Sequence, residues 1–255
     1  VPQFAPQKWF DMYPLESVQM PKMRENDIAG IPQYGIDLTR EKHVAPTYEW
    51  VIKNKEEKKL VQSYLACVSF VDAQVGKILD ALDASPHKDN TYVVLYSDHG
   101  FHLGEKERYA KRSLWEDGAR VPMMISGPGI KPGVTTKPTQ LLDIYPTLLE
   151  LTGLKADSKL EGNSLVPLLR NPQSEWPHYA RTCFGPGNYA IVSEHYRFIQ
   201  YNDGSEEFYD RSKDPNEWSN QVKNPEYASV IAKHRKQVPQ ERAPILGKNS
   251  TGHKS

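Results

Sequence analysis

The chain has 255 residues, with 32 Lys and Arg residues balanced by 32 Asp and Glu residues, and 38% of its residues are hydrophobic. This composition is typical of a globular protein with a real core and gives no basic footprint for nucleic acid. No run approaches the roughly 18 consecutive apolar residues of a membrane span. We therefore expect no nucleic-acid partner and no membrane span. Cys67 and Cys183 are too few for a disulfide framework, and their positions do not show whether they pair.

The opening stretch, residues 1–46, is rich in proline and aromatic residues. This predicts an irregular segment that crosses a surface, rather than a helix or a strand. A domain rarely begins with so long an irregular stretch. We therefore expect Val1 to be a processing site or a truncation, and sequence upstream of it to supply part of the core.

A long amphipathic helix is predicted over residues 56–82, where apolar side chains recur with a 3.6-residue period. Residues 91–96 are β-branched and aromatic and predict a buried strand, and the apolar run at residues 121–125 predicts a second strand. Residues 141–151 have helical spacing again. Helices alternating with buried strands indicate an α/β fold.

The C-terminal third has a different character. Residues 189–193 and 196–201 are short runs of β-forming residues separated by Glu194 and His195, which predicts a hairpin. We expect a small α+β unit here, with a loose tail from Gly247.

Polar residues come directly after the first predicted strand, where ligands bind in open α/β sheets. The carboxylate of Asp98 and the imidazole of His99 can both ligate a divalent cation. Alternatively, Asp98 caps a turn and His99 packs against it. A charged loop follows, which either favours an oxyanion such as sulfate or phosphate or is simply solvated. Its members are His102, Glu105, Lys106, Arg108, Lys111 and Arg112.

Several segments of the sequence resemble those of a known protein family. Residues 97–105, with residues 109–113, Glu116 and residues 120–122, resemble the second signature region of the type I sulfatases, in the alkaline phosphatase superfamily. Residues 64–82, 142–153 and 207–220 resemble, in the same order, further family segments, so the resemblance spans about residues 4–220. Asp-His at 98–99, rather than Asp-Asn, and the opening segment look most like the iduronate-2-sulfatase-like branch.

The resemblance implies an α/β fold in two parts. Residues 1–172 would be the C-terminal portion of an alkaline-phosphatase-like mixed sheet flanked by helices. Residues 173–255 would be a small α+β subdomain with an antiparallel sheet.

The resemblance also implies roles for particular residues. Asp98 and His99 match two ligands of a single active-site Ca²⁺, and Lys111 matches a lysine that contacts the sulfate group. His102 is a candidate for substrate contact, with a packing role as the alternative. The family's nucleophile is a formylglycine made within Cys/Ser-x-Pro-x-Arg. Neither cysteine has that context, so the formylglycine is expected upstream and is absent from this chain.

The implied function is that of a sulfuric ester hydrolase, a sulfatase that cleaves sulfate from a sulfated carbohydrate such as a glycosaminoglycan. Its partner would be the missing N-terminal half of the same enzyme, and its location periplasmic, secreted or lysosomal. Two alternatives stay open. One is a metal-dependent phosphoesterase or phosphonate hydrolase of the same superfamily. The other is a non-catalytic fragment that binds an anionic glycan or a protein partner.

Overall fold

The computed structural model describes residues 3–40, 46–155 and 157–240. The expectations for Val1 and for the tail from Gly247 lie outside this range. The helices are α1 Gln7–Phe10, α2 Gln33–Thr39, α3 Tyr48–Asn54, α4 Glu57–Asp83, α5 Glu116–Ala119, α6 Ile144–Leu151, α7 Val166–Arg170 and α8 Ala228–Arg235. The strands are β1 Val93–Tyr96, β2 Met123–Ser126, β3 Ala180–Cys183, β4 Tyr189–Val192, β5 Tyr196–Gln200 and β6 Glu206–Asp210.

The opening stretch is mostly irregular in its described part, as predicted, but helices α1 and α2 were missed, and α2 is the longer of the two. This helix begins after Pro32, whose fixed φ suits the position before a first turn. A Cβ at its Gly35 would lie 2.5 Å from the hydroxyl oxygen of Tyr201. The helix therefore depends on close packing against the C-terminal sheet, which local propensity does not reveal.

The long helix α4 confirms the predicted helix to within one residue at each end. Helix α1 and the residues that follow it pack along α4. The rings of Trp9 and Phe70 lie 6.2 Å apart, and the hydroxyls of Tyr13 and Ser69 are 2.6 Å apart. The opening segment is thus fixed to the helix.

Much of the apolar stripe of α4 is exposed. Only two residues of the helix, Val61 and Ala66, are buried. The side chains of Val68, Val71 and Ile78 are each more than half exposed. The described residues therefore leave much of the amphipathic face of α4 uncovered.

Strands β1 and β2 form an antiparallel pair, with Tyr96 opposite Met123. Both predicted strands are confirmed, with shifts of one or two residues at their ends. The prediction that the first strand is buried is wrong, since β1 is only partly buried and Tyr96 is 51% exposed. The reason is topological, because β2 is the only strand that pairs with β1 among the described residues.

The helix predicted over residues 141–151 is confirmed as a 3-10 turn, Leu141–Asp143, that continues into α6. The carboxylate of Asp143 accepts a hydrogen bond of 3.0 Å from the backbone N–H of Gln140 and so caps the turn. Gly153 follows the helix with a φ of 72°, a left-handed conformation that favours glycine and ends the helix.

The C-terminal sheet has the order β3-β4-β5-β6, with every neighbouring pair antiparallel. The predicted hairpin is confirmed as β4 and β5, with Val192 opposite Arg197. The sheet is covered on both sides. Phe198 and Phe208 pack with Ile231 of α8, while Ala190 and Ile199 pack with Trp115.

The core around Trp115 joins the two halves of the chain. It contains Ile31 and Leu114 as well as Ile199 and Tyr209 of the C-terminal sheet. The predicted division at residue 172 therefore crosses a shared core, and it stays a prediction.

Cys67 and Cys183 are free thiols, the first half-buried on α4 and the second exposed. Among the described helices, none combines the length and the apolar character that a bilayer crossing needs.

Candidate functional site

Asp98 and His99 follow β1 directly, in the turn that joins it to the charged loop. The backbone N–H of Ser97 donates to the carbonyl of Pro122, and the Ser97 hydroxyl donates to the carbonyl of His99 at 3.0 Å. The Asp98 side chain is 80% exposed, and its Oδ1 lies 3.7 Å from Nε2 of His99. The turn thus places a carboxylate and an imidazole side by side.

This pair fits a divalent cation. Nδ1 of His99 lies 2.8 Å from the carbonyl oxygen of Gly100, which can only accept, so Nδ1 carries the proton. The lone pair is then on Nε2, the nitrogen nearest Asp98. A backbone carbonyl that fixes the tautomer in this way is a common support of a metal-ligating histidine.

Gly100 allows the turn to pack against the following helix. Its N–H donates to the carbonyl of Gly118 at 3.1 Å. A Cβ at residue 100 would lie 2.1 Å from the carbonyl oxygen of Asp117. Two backbone segments are therefore in direct contact here.

We expect Gly100→Ala to lower the free energy of unfolding by about 1–3 kcal/mol, the usual cost of forcing a methyl group into packed backbone. The matched control is Gly76→Ala on α4, where an added Cβ meets nothing within 4 Å in the described structure. Because alanine is the better helix former, the control should be stabilised by roughly 0.5–1 kcal/mol. Chemical unfolding of both variants checks this, and equal effects would contradict it.

Lys111 lies in a cavity of ≈ 210 Å³. Aromatic side chains form part of the lining: Tyr48, Tyr109, Trp115 and Phe184. The backbone carbonyl of Lys111 accepts a hydrogen bond of 2.8 Å from Nη2 of Arg108. The other terminal nitrogen of Arg108 donates to the carbonyl of Thr39. Arg108 thus ties the loop that carries Lys111 to the end of α2.

The same loop adopts unusual backbone conformations. Lys106, Glu107 and Arg112 have φ values of 54°, 51° and 65°, in the left-handed region. They are three of the six described non-glycine residues with positive φ. Such conformations cost free energy and cluster in functional loops. The loop is therefore held by its surroundings rather than by local preference.

Two basic residues of the charged loop are buried, so they neither face an anion site nor lie in solvent. Lys106 is buried, and its Nζ donates to Asp27 at 2.8 Å and to the carbonyl of Glu217 at 2.5 Å. Arg108 is buried too. For Lys106 and Arg108, the anion-site expectation and the solvated-loop expectation are therefore both wrong. Asp27 neutralises Lys106, and backbone carbonyls accept hydrogen bonds from Arg108 inside the protein.

His102 is fully buried. Its Nε2 lies 2.7 Å from the hydroxyl of Ser113, and its ring packs edge-on against Trp115. Burial, together with the positive charges of Arg108 and Lys106, lowers its pKa well below the usual value, so the ring is neutral. These contacts favour the packing role over substrate contact.

A buried ionic network fixes the segment after Lys111 to the C-terminal sheet. The guanidinium of Arg197 donates to Glu217 at 2.5 Å, to the carbonyl of Leu114 at 3.0 Å, and to Glu116. Glu217 also accepts from the backbone N–H of Glu116 at 2.9 Å. The sequence does not reveal this network, because its members come from distant parts of the chain.

The cavity lining includes Lys111 and Arg112 but neither Asp98 nor His99. Two aromatic residues of the cavity lining were not predicted from the sequence. Tyr48 belongs to α3, which the sequence did not predict, and Phe184 comes from the end of β3. Phe184 has Arg112 stacked on its ring at 5.3 Å.

Comparison with known proteins decides the family. Residues 19–154 match the family model described as "Sulfatase", which is more than half of the chain. This chain belongs to the sulfatase family. Residues 104–244 also match the model described as "N-sulphoglucosamine sulphohydrolase, C-terminal".

One curated relative of this sulfatase-family chain is a sulfatase of Formosa agariphila. The two are 45% identical over 244 residues, which cover 95% of this chain and 48% of the relative. The chain thus spans about half the length of that curated relative.

Two solved structures are similar to the sulfatase-family chain. One holds its substrate, D-glucosamine-2-N,6-O-disulfate. It has a TM-score of 0.63 and 29% identity, over 73% of this chain and 41% of that one. The other is the phosphonate monoester hydrolase of Silicibacter pomeroyi, with a TM-score of 0.76 and 22% identity, over 92% and 52% of the two chains. The second likeness concerns the fold alone, and the expected alkaline-phosphatase-like α/β fold is confirmed.

Proposed function

We propose that this chain is the C-terminal portion of a sulfatase of the iduronate-2-sulfatase-like branch, which hydrolyses sulfate esters of a sulfated carbohydrate. The observation that carries the proposal is the pairing of Asp98 with His99 at the end of β1, in a chain of the sulfatase family. The cavity that contains Lys111 supports it.

Asp98 and His99 would hold one Ca²⁺. The exposed carboxylate of Asp98 suits a hard cation, and Nε2 of His99 is the second ligand atom. Such a cation would supply positive charge to stabilise the sulfate group. Further oxygen ligands would come from outside this chain, since Ca²⁺ takes six to eight ligands.

Lys111 would donate a hydrogen bond to a sulfate oxygen. Its ammonium group carries the charge needed to stabilise the negative charge that builds as the S–O bond breaks. Arg108, on the carbonyl of Lys111, keeps this part of the backbone in place. The aromatic lining of the cavity offers apolar faces to a sugar ring.

The formylglycine nucleophile would be supplied by the N-terminal half of the enzyme. Two observations support such a partner segment. The chain spans 48% of its curated relative from Formosa agariphila. Apolar side chains of α4 and Tyr96 of β1 are exposed in the described structure, and burying them would be favourable.

The substrate would be a sulfated sugar, since a related structure binds a disulfated glucosamine. More specifically, we propose a sulfated uronate as the substrate, on the basis of the Asp-His pair at residues 98 and 99. An enzyme of this kind would work in the periplasm, outside the cell or in the lysosome. Within it, residues 1–172 would complete the catalytic domain and residues 173–255 the smaller subdomain.

We expect Asp98→Ala to weaken Ca²⁺ binding by more than about 100-fold, because loss of a direct ligand should exceed the 10–100-fold effect of losing a supporting group. Calcium bound to the full-length native protein, measured by elemental analysis after dialysis, checks this. The control is Asp157→Ala, an exposed carboxylate that accepts from the backbone of Lys159. Undiminished Ca²⁺ in Asp98→Ala would contradict the assignment.

The reaction class is tested with matched aryl esters. We expect the full-length native protein to hydrolyse 4-nitrophenyl sulfate faster than 4-nitrophenyl phenylphosphonate. The opposite preference would favour the phosphonate hydrolase alternative. Failure to hydrolyse either ester, or a sulfated oligosaccharide, would favour the non-catalytic alternative.

A further inference from the structure

A second group of ligand-type side chains lies beyond the Asp98 and His99 pair. His102, Glu105 and Asp117 each offer one ligand atom, and these atoms all lie within 4.8 Å of one another. His102 and Glu105 come from the charged loop, and Asp117 comes from α5. The group therefore forms only when the loop packs against that helix.

The imidazole of His102 is directed into this group. Its Nδ1 lies 4.0 Å from Oδ2 of Asp117 and has no hydrogen-bond partner among the residues that the structure describes. A buried polar atom without a partner is costly and is rare in folded proteins. When Nε2–H donates to the Ser113 hydroxyl, Nδ1 keeps its lone pair and lies 4.0 Å from Oδ2 of Asp117. That is the arrangement of a metal-ligating histidine with its supporting hydrogen bond.

The carboxylates of Glu105 and Asp117 lie close together and repel each other. One oxygen of Glu105 accepts from the backbone N–H of Leu103 at 2.6 Å, which fixes the side chain. Burial and then the negative charge of Glu105 raise the pKa of Asp117 to about 6. A cation between the two carboxylates would remove this repulsion.

The nearest basic side chains are already engaged elsewhere. Lys106 is paired with Asp27, and Arg108 donates to the carbonyls of Thr39 and Lys111. Burial, and then these positive charges, lower the pKa of His102 and keep the ring neutral, which is the form that binds metal. Among the described residues, neither Glu105 nor Asp117 forms an ion pair with a lysine or an arginine, so a bound cation would supply the counter-charge that they lack.

We propose that His102, Glu105 and Asp117 bind a divalent transition-metal cation, with Zn²⁺ as the best fit. One imidazole nitrogen and two carboxylate oxygens form a three-ligand set of the kind that Zn²⁺ takes with a water in the fourth position, whereas Ca²⁺ needs six to eight ligands. Ligand atoms around a tetrahedral Zn²⁺ lie roughly 3.3 Å apart, given bonds of about 2.0 Å. The group must therefore close slightly, and the Asp117 side chain, 44% exposed, can rotate to do so.

The test is a calorimetric titration with Zn²⁺ alone. The full-length native protein is first stripped with a chelator and then saturated with Ca²⁺, so that Asp98 and His99 are occupied. We expect Asp117→Asn and Glu105→Gln each to weaken the binding of one Zn²⁺ per chain by more than tenfold. The matched control, Asp157→Asn, should bind Zn²⁺ like the wild type.

Thermal unfolding in the presence of chelator separates binding from folding. Because Asp117→Asn removes the repulsion between Asp117 and Glu105, the variant should unfold at or above the wild-type temperature when no metal is present. Zn²⁺ should then raise the unfolding temperature of the wild type and not that of the variant. The proposal is overturned if the wild type binds no Zn²⁺, or if both variants bind it as tightly as the wild type. No step uses enzyme activity, so the outcome is independent of the proposed sulfatase function.

Discussion

Lys111→Ala is expected to lower kcat for sulfate-ester hydrolysis by about 10²–10³-fold, the usual cost of removing one preorganised donor to a developing negative charge. Lys111 is suited to this role because it lies in a cavity and its backbone is held by Arg108 at 2.8 Å. The fold should survive, since the side chain is only half-buried. Steady-state kinetics of the full-length native protein with an aryl sulfate measure the effect.

The control for this substitution is Lys131→Ala, a lysine in an exposed loop. It should leave kcat unchanged. If Lys111→Ala retains wild-type turnover while the control does too, Lys111 has no role in binding the sulfate group. A loss in both variants would indicate a general effect of charge.

Arg197→Ala should lower the free energy of unfolding by about 3–5 kcal/mol, because it removes one partner from a buried ionic network. The substitution leaves the buried carboxylate of Glu217 without its cation, and the carbonyl of Leu114 loses its donor, whereas Glu116 keeps its pair with Arg211 at 3.0 Å. Chemical unfolding followed by tryptophan fluorescence measures the change, and Trp115 lies next to this network.

Arg235→Ala is the matched control. Its guanidinium forms a bidentate ion pair with Glu206, with hydrogen bonds of 2.8 and 2.7 Å, but about half of its side chain is exposed. Exposed pairs contribute roughly 0–1 kcal/mol, so the control should be far less destabilised. Equal losses in the two variants would show that burial does not set the strength of the Arg197 network.

Elements with strong periodicity could be predicted from the sequence. Helix α4 has an apolar repeat over 27 residues, and the β4–β5 hairpin has two β-forming runs around a short turn. Helices α2 and α3 are only seven residues long each, which is too short for periodicity to distinguish them from loops.

The position of Asp98 and His99 could also be predicted, because a polar pair at the end of a strand is a local feature. The burial of Lys106 could not. Its partners, Asp27 and Glu217, are 79 and 111 residues away in the chain. The same holds for the group formed by His102 and Asp117, which depends on how the loop packs against α5.

The most direct test of the proposed function is the release of inorganic sulfate from sulfated oligosaccharides. Ion chromatography would follow the full-length native protein on glycosaminoglycan fragments that carry either 2-O-sulfated uronate or 6-O-sulfated glucosamine. We expect release of sulfate, faster from the uronate, and a loss of release in Asp98→Ala and Lys111→Ala. If the wild type releases no sulfate from any sulfated sugar but cleaves phosphonate esters, the assignment as a carbohydrate sulfatase is wrong.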